Sequence, residues 1–135
     1  MQVQKTLQLP NQLSKLHHIR RAVRNFVLPN GNESFVTRMI LAVDEALSNV
    51  IEHGFPEKRR SSIFLQMVKR PGEIKFSILD DGIPYDPNPG KRSLSPTGNQ
   101  GYGLKIIHTL MDVKYTHRPE GINILELSKK LDSTP

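Results

Sequence analysis

The sequence predicts an α+β domain, a two-layer sandwich with helices on one face of a mixed sheet. Three observations carry that expectation. Several segments alternate strictly between apolar and polar residues, and three others place apolar residues at helical spacing. Residues 81–100 are rich in Pro and Gly and show neither period. A chain of 135 residues accommodates one domain with one core, taken as 1–135.

Residues 3–9 set Val3, Leu7 and Leu9 on one side and Gln4, Thr6 and Gln8 on the other, as in a half-buried edge strand. Pro10 ends it, and Asn11 offers a capping oxygen to the helix after it. Leu13, Leu16, Ile19, Val23 and Phe26 stripe that amphipathic helix over 12–27, with Lys15, Arg20, Arg21 and Arg24 at its other positions. Residues 28–32, holding Pro29 and Gly31, make a loop. A second helix over 34–53 carries Val36, Met39, Ile40, Val43, Ala46, Leu47 and Val50, and Gly54 takes its C-terminal cap. Strands at 62–69 and 73–80 join across Arg70-Pro71-Gly72, a hairpin signal. The loop at 81–100 is long enough to be functional or mobile in a compact domain. A third helix over 102–111 precedes strands at 113–117 and 122–128, which turn through Arg118-Pro119-Glu120-Gly121.

Composition narrows the partners. No apolar run reaches bilayer length, and the N-terminus lacks the pattern of a signal peptide, so no membrane association is expected. The absence of Cys excludes disulfides and thiolate zinc sites, and the chain reads as cytoplasmic. A net charge of +6 favours anionic partners or a solvated basic surface. Aromatics are only 6%, and no basic stretch is interleaved with them, so direct nucleic-acid binding is not expected. A phosphate-bearing ligand or an acidic protein partner remains.

Three segments carry candidate chemistry. Glu45 and Asn49 lie four residues apart on one helix face. A carboxylate and a carboxamide so placed can activate a hydroxyl and ligate a hard cation such as Mg²⁺, though the pair also suits an ordinary polar face. Asp80 ends a strand and Asp81, Gly82, Ile83 and Pro84 follow it, where a carboxylate can accept from an amine and a glycine admits close approach; a plain turn has the same composition. Gly98, Gly101, Tyr102, Gly103 and Leu104 open the third helix, where backbone N–H groups can wrap phosphates or simply hinge. Neither a Walker A motif nor a Rossmann fingerprint is present.

In this order the three segments resemble the N, G1 and G2 boxes of the GHKL ATPase superfamily. The run from Glu45 to Phe55, with His53 and Gly54 near its end, looks like its serine-kinase anti-sigma-factor branch. The resemblance implies a Bergerat-type ATP site. Glu45 would be the general base, Asn49 the Mg²⁺ ligand, and Asp80 the acceptor of the adenine amino group. Gly82 would allow approach beneath the base, and 81–100 would be the ATP lid. Gly101 and Gly103 would hold phosphates, with Pro84, Gly98, Tyr102 and Leu104 around the nucleotide. His53 falls at the family's His position, which a helix-end histidine bonding a last carbonyl would also fill. The branch phosphorylates a STAS-type antagonist and binds a sigma factor. By that resemblance Arg20, Arg21 and Arg24 would meet an acidic partner, and Leu7, Leu9, Leu13 and Leu16 would support a homodimer. Relatives often carry a basic residue just before the first glycine of the last box, where this chain has Asn99 and Gln100; Lys91 and Arg92 lie earlier. The Thr that relatives place under adenine gives way to the region of Ile122 and Asn123. The competing expectation is a non-catalytic binding module whose nucleotide only sets the lid.

Overall fold

The computed structural model describes residues 2–56, 59–87 and 99–131, with the side chains of Asn30 and of 99–104 outside that description. Five strands form one sheet: β1 (Val3–Pro10), β2 (Ser62–Arg70), β3 (Glu73–Asp80), β4 (Asp112–His117) and β5 (Asn123–Lys130), in the order β1-β2-β3-β5-β4. The helices are α1 (Leu16–Val27), α2 (Glu33–Gly54) and α3 (Asn99–Leu110).

The sheet is antiparallel at every pairing, where a mixed sheet was expected. The reason lies in the connections. After β1 the chain goes out along α1 and back along α2, so β2 starts beside the end of β1, at Pro10↔Ser62. β3 and β4 share a direction, but β5 sits between them and pairs antiparallel with both. β1 lies at the sheet's edge as the sequence indicates.

One face of the sheet is buried by the helices. Leu65, Met67, Phe76, Ile78 and Leu127 meet Met39, Val43 and Leu47 of α2 and Ile19 and Val23 of α1 in one core. Each such side chain stabilises the fold by about 1.5–3 kcal/mol through burial. The opposite face stays open, with Phe64 41% exposed. Lys69 on β2 donates to the Phe26 carbonyl at 2.8 Å, satisfying one of the end carbonyls of α1.

Local corrections concern the helix ends. A 3₁₀ turn (Leu13–Lys15) precedes α1, and its cap is Gln12. Asn11 does not cap: its Oδ1 accepts from Ser61 N and its Nδ2 donates to the Arg59 carbonyl, tying β1's end to the approach to β2. Asn32 caps α2 by accepting from Phe35 N at 2.8 Å. Gly54 is the last residue of α2 and Phe55 its cap. α3 begins at Asn99, so Gly101 and Gly103 stand inside its first turns and residues 99–100 belong to a helix, not to the loop. Leu9 and Leu16 are spent in the chain's own core, while Leu13 is 47% exposed.

Candidate functional site

Buried Ala46, Leu47 and Val50 fix the rotation of α2, which places Glu45 and Asn49 on adjoining turns at its half-buried margin. Burial, then the charges of Asp44 and Glu52, push the Glu45 carboxyl above the usual carboxylate range. That shift makes its carboxylate a stronger base. Glu45 makes no hydrogen bond among the described residues. The Asn49 amide nitrogen is buried and, among the described residues, has no hydrogen-bond partner. One turn on, the His53 ring stacks on Tyr85 with centroids 4.4 Å apart and planes 6° from parallel.

Asp80 ends β3 and is 6% exposed. Its Oδ1 accepts from Gly82 N at 2.8 Å and from Asn123 Nδ2 at 2.9 Å, and its Oδ2 has no partner among the described residues. Burial raises the Asp80 pKa; the bonds from Asn123 and Gly82 oppose it, Asp81 adds to it, and His117 works against it. The cleft here is walled by Val50 and Gly54 of α2, by Ile83 and Tyr85, and by Tyr115, Asn123 and Leu125 of the sheet.

Gly82 has a structural requirement of its own. A Cβ there would stand 2.4 Å from the Gly54 carbonyl oxygen. That carbonyl accepts from Ile83 N at 2.8 Å, so the turn after β3 docks on an end carbonyl of α2. Next to it, Asp81 accepts from the Ser61 hydroxyl at 2.6 Å and pairs with Arg59 at 3.3 Å. These contacts, the Ser61 bond foremost, hold its carboxyl below the usual range.

Glu45, Asn49, His53, Asp80 and Gly82 thus come together around the C-terminal half of α2 and the end of β3. Pro84 lies exposed in the segment leading away from β3. Gly101, Tyr102, Gly103 and Leu104 occupy the start of α3, while Gly98, Lys91 and Arg92 lie outside the described residues. Arg20 is paired with Asp44 at 2.8 Å and Arg24 with Glu33 at 2.6 Å, clamping α1 to α2. Arg21 makes no ion pair among the described residues. The sequence reading set Asn123 in the region where relatives place a Thr under adenine but gave it no role, and it gave none to Tyr115 or Tyr85. A signal for Asn123 was present, since it is a polar residue in the inward alternation of Leu125 and Leu127.

Among the described residues, three α-helices on one face of an antiparallel sheet, with a buried aspartate at a strand end beside the helix of Glu45 and Asn49, give the class of fold as an α+β two-layer sandwich. The family model for the histidine kinase-like ATPase domain matches residues 9–129, and the chain belongs to that family. It is 32% identical to the serine/threonine-protein kinase BtrW of Bordetella bronchiseptica over 95 residues, 67% of this chain and 67% of that protein. It is 27% identical over 96 residues to the serine-protein kinase RsbW of Bacillus thuringiensis, covering 64% of this chain and 59% of that one. The chain therefore spans less than two thirds of the RsbW length. Among solved structures, the SiaB–SiaC complex from Pseudomonas aeruginosa superposes with a TM-score of 0.58 at 14% identity, covering 94% of this chain and 89% of that chain. The Erythrobacter litoralis EL346 blue-light activated histidine kinase gives 0.56 at 19% identity over 85% of this chain and 40% of its own. These two likenesses concern the fold. No helix among the described residues is long and apolar enough to cross a membrane.

Proposed function

We propose that the chain is a cytoplasmic ATP-dependent serine/threonine protein kinase that phosphorylates a STAS-type antagonist and acts as an anti-sigma factor. The observation that carries this reading is the single helix, α2, that presents Glu45 and Asn49 and also lends Val50 and Gly54 to the cleft of Asp80. Base recognition and phosphoryl chemistry then share one rigid element. The kinase relatives support the activity at modest identity.

The residues fit an adenine nucleotide. Asp80 keeps its second carboxylate oxygen without a partner among the described residues, open to an exocyclic amine, and the first N–H groups of α3, which no helix can bond internally, would face phosphates. Among the described residues no cluster of three or more His, Asp or Glu could hold a metal by itself. The unpartnered Asn49 amide nitrogen is a donor and fits a phosphate oxygen of the nucleotide, while a cation would take the amide oxygen instead. A magnesium ion held by Asn49 would supply charge neutralisation for the phosphates. Glu45, its pKa raised, would accept the proton of an incoming serine hydroxyl.

Glu45→Ala is expected to lower phosphate transfer to the antagonist by about 10²–10⁴ while ATP affinity stays within about threefold. Asn49→Ala is expected to weaken both, and chelation to weaken wild-type binding. Full phosphorylation by Glu45→Ala would overturn the catalytic assignment. The binding-module reading is favoured by Asn99 and Gln100 standing where relatives carry a basic residue. It takes the lead if nucleotide alters partner binding with no transfer.

The proposal extends to the partners. An acidic sigma-factor surface would meet α1 through Arg21, with Arg20 and Arg24 re-pairing from Asp44 and Glu33. Self-association would use the β1 edge with half-buried Leu7 and exposed Leu13. A monomeric mass by light scattering at micromolar concentration would remove the dimer.

A further inference from the structure

Asn123 is 2% exposed, and each hydrogen-bonding position of its side chain is used. Nδ2 donates to Asp80 Oδ1 and to the Gly82 carbonyl, both at 2.9 Å. Oδ1 accepts from the Tyr115 hydroxyl at 2.9 Å and meets His117 Nδ1 at 2.7 Å. A carboxamide has two donor hydrogens and two acceptor lone pairs, so its capacity is filled. Turning the amide over would set its oxygen against a carboxylate and a carbonyl. The network therefore fixes the orientation, with His117 donating from Nδ1.

The chain of bonds continues beyond Asn123. The Tyr115 hydroxyl accepts from Tyr85 N at 3.1 Å. Tyr85 stacks on His53, and two residues later the Pro87 carbonyl meets His108 Nε2 of α3 at 3.0 Å. One line of hydrogen bonds thus runs from the segment after β3, through Tyr115 and Asn123, to the carboxylate at the strand end. The register explains it: Asp80 pairs with Asn123, Asn123 with His117, and Tyr115 lies two residues back on the same face of β4.

We propose that Asn123 and Tyr115 are positioning residues that couple base recognition at Asp80 to the placement of the segment from Ile83 to Pro87. This rests on the nucleotide reading above. Asn123 and Gly82 together occupy Asp80 Oδ1, which leaves Oδ2 as the one acceptor for an incoming N–H donor. A single acceptor suits the amino group of adenine and opposes the carbonyl of guanine. Tyr115 holds the Tyr85 backbone in register with that acceptor, so the ring stacked on His53 is set by the same network.

Two near-isosteric variants separate the parts. Asn123→Asp replaces the donor facing Asp80 with a second carboxylate oxygen, and Tyr115→Phe deletes only the hydroxyl. Affinities for ATP and GTP are measured by calorimetry, and exchange of the Tyr85 amide is followed in the ligand-free protein. Asn123→Asp is expected to cut the ATP-to-GTP affinity ratio by about tenfold or more, the loss of one charge-assisted hydrogen bond. Tyr115→Phe is expected to speed Tyr85 exchange by about tenfold and, because the same hydroxyl holds Asn123 Oδ1, to narrow the ATP-to-GTP ratio in the same direction as Asn123→Asp but by less. An unchanged ratio in a folded Asn123→Asp, or unaltered Tyr85 exchange in Tyr115→Phe, overturns the proposal. Where Asn123→Asp does not fold, Tyr115→Phe decides alone. A wild-type protein that binds neither nucleotide defeats the functional reading instead, and the exchange of Tyr85 still decides the relay.

Discussion

Asn123 and Asn49 both stand on the walls of one site, and the fold treats them in opposite ways. Asn123, on β5, has its amide hydrogens and its oxygen all engaged, by Asp80, Gly82, Tyr115 and His117. Asn49, on α2, keeps a buried amide nitrogen with no partner among the described residues. Its neighbour Glu45 sits in a repulsive environment made by burial, Asp44 and Glu52. A buried polar group without a partner costs about 1–3 kcal/mol, which a ligand's contacts can offset. The end that would read a base is therefore wired before anything binds, save for the open Asp80 Oδ2. The end that would react is left unfinished, and its strained groups are the ones a bound nucleotide and hydroxyl would satisfy. On the proposed function, selectivity would sit on the sheet side of the site and reactivity on α2.

The largest expected effect tests that contrast by stability alone. Asn123→Ala should destabilise the protein by about 2–4 kcal/mol, because Asp80, Tyr115 and His117 lose a buried partner together. Asn49→Ala removes a group with nothing to lose and places a better helix former inside α2, so it should fall within about 0.5 kcal/mol of wild type or above it. Denaturant titration of the two variants reads both values. Equal losses would mean that Asn49 is as well satisfied as Asn123, and the contrast would fail.

Periodicity exposed much of this architecture and little of its wiring. The alternation from Ser62 to Asp80 and the turn at Gly72, whose φ is +84°, mark the central hairpin without ambiguity. Glu45 and Asn49 are legible because helical spacing is local. Strand direction is not, since alternation has the same period in parallel and antiparallel pairs. The insertion of β5 between β3 and β4 depends on contacts far apart in the chain. The Asp80–Asn123 bond joins residues 43 positions apart, so only the inward parity of Asn123 and its place where relatives carry a Thr hinted at it. Gly82 was readable as a close-approach glycine, but the group it approaches in the fold is the carbonyl of Gly54. Likewise the arginines of α1 read as one basic surface, whereas Arg20 and Arg24 reach back to α2.

A smaller effect separates Asp80 from its neighbour Asp81 by the sign of a pH dependence. Burial raises the Asp80 pKa above its unfolded value of about 3.9, so the folded state holds that proton more tightly. Its contribution to stability is fully present below that unfolded value and is lost as pH rises through the folded one. Asp81, held low by Ser61 and Arg59, runs the other way: its contribution is present above about pH 3.9 and lost as pH falls through its folded value. Asp81 is exposed, so solvent screens that term and Asp80 should dominate the comparison. In Asp80→Asn, the amide oxygen can keep the bonds from Gly82 and Asn123 while its NH₂ replaces the oxygen offered to the ligand. ATP affinity should fall by about 1–3 kcal/mol and the preference for ATP over GTP should narrow. Stability should move the opposite way, with the variant gaining on wild type near neutral pH and the gain vanishing below about pH 4. Chemical denaturation between pH 3 and 8 measures it. Curves for the two proteins that stay parallel across that range would show that the Asp80 carboxylate carries no burial penalty, and the discriminating end of the site would then be no more strained than an ordinary surface.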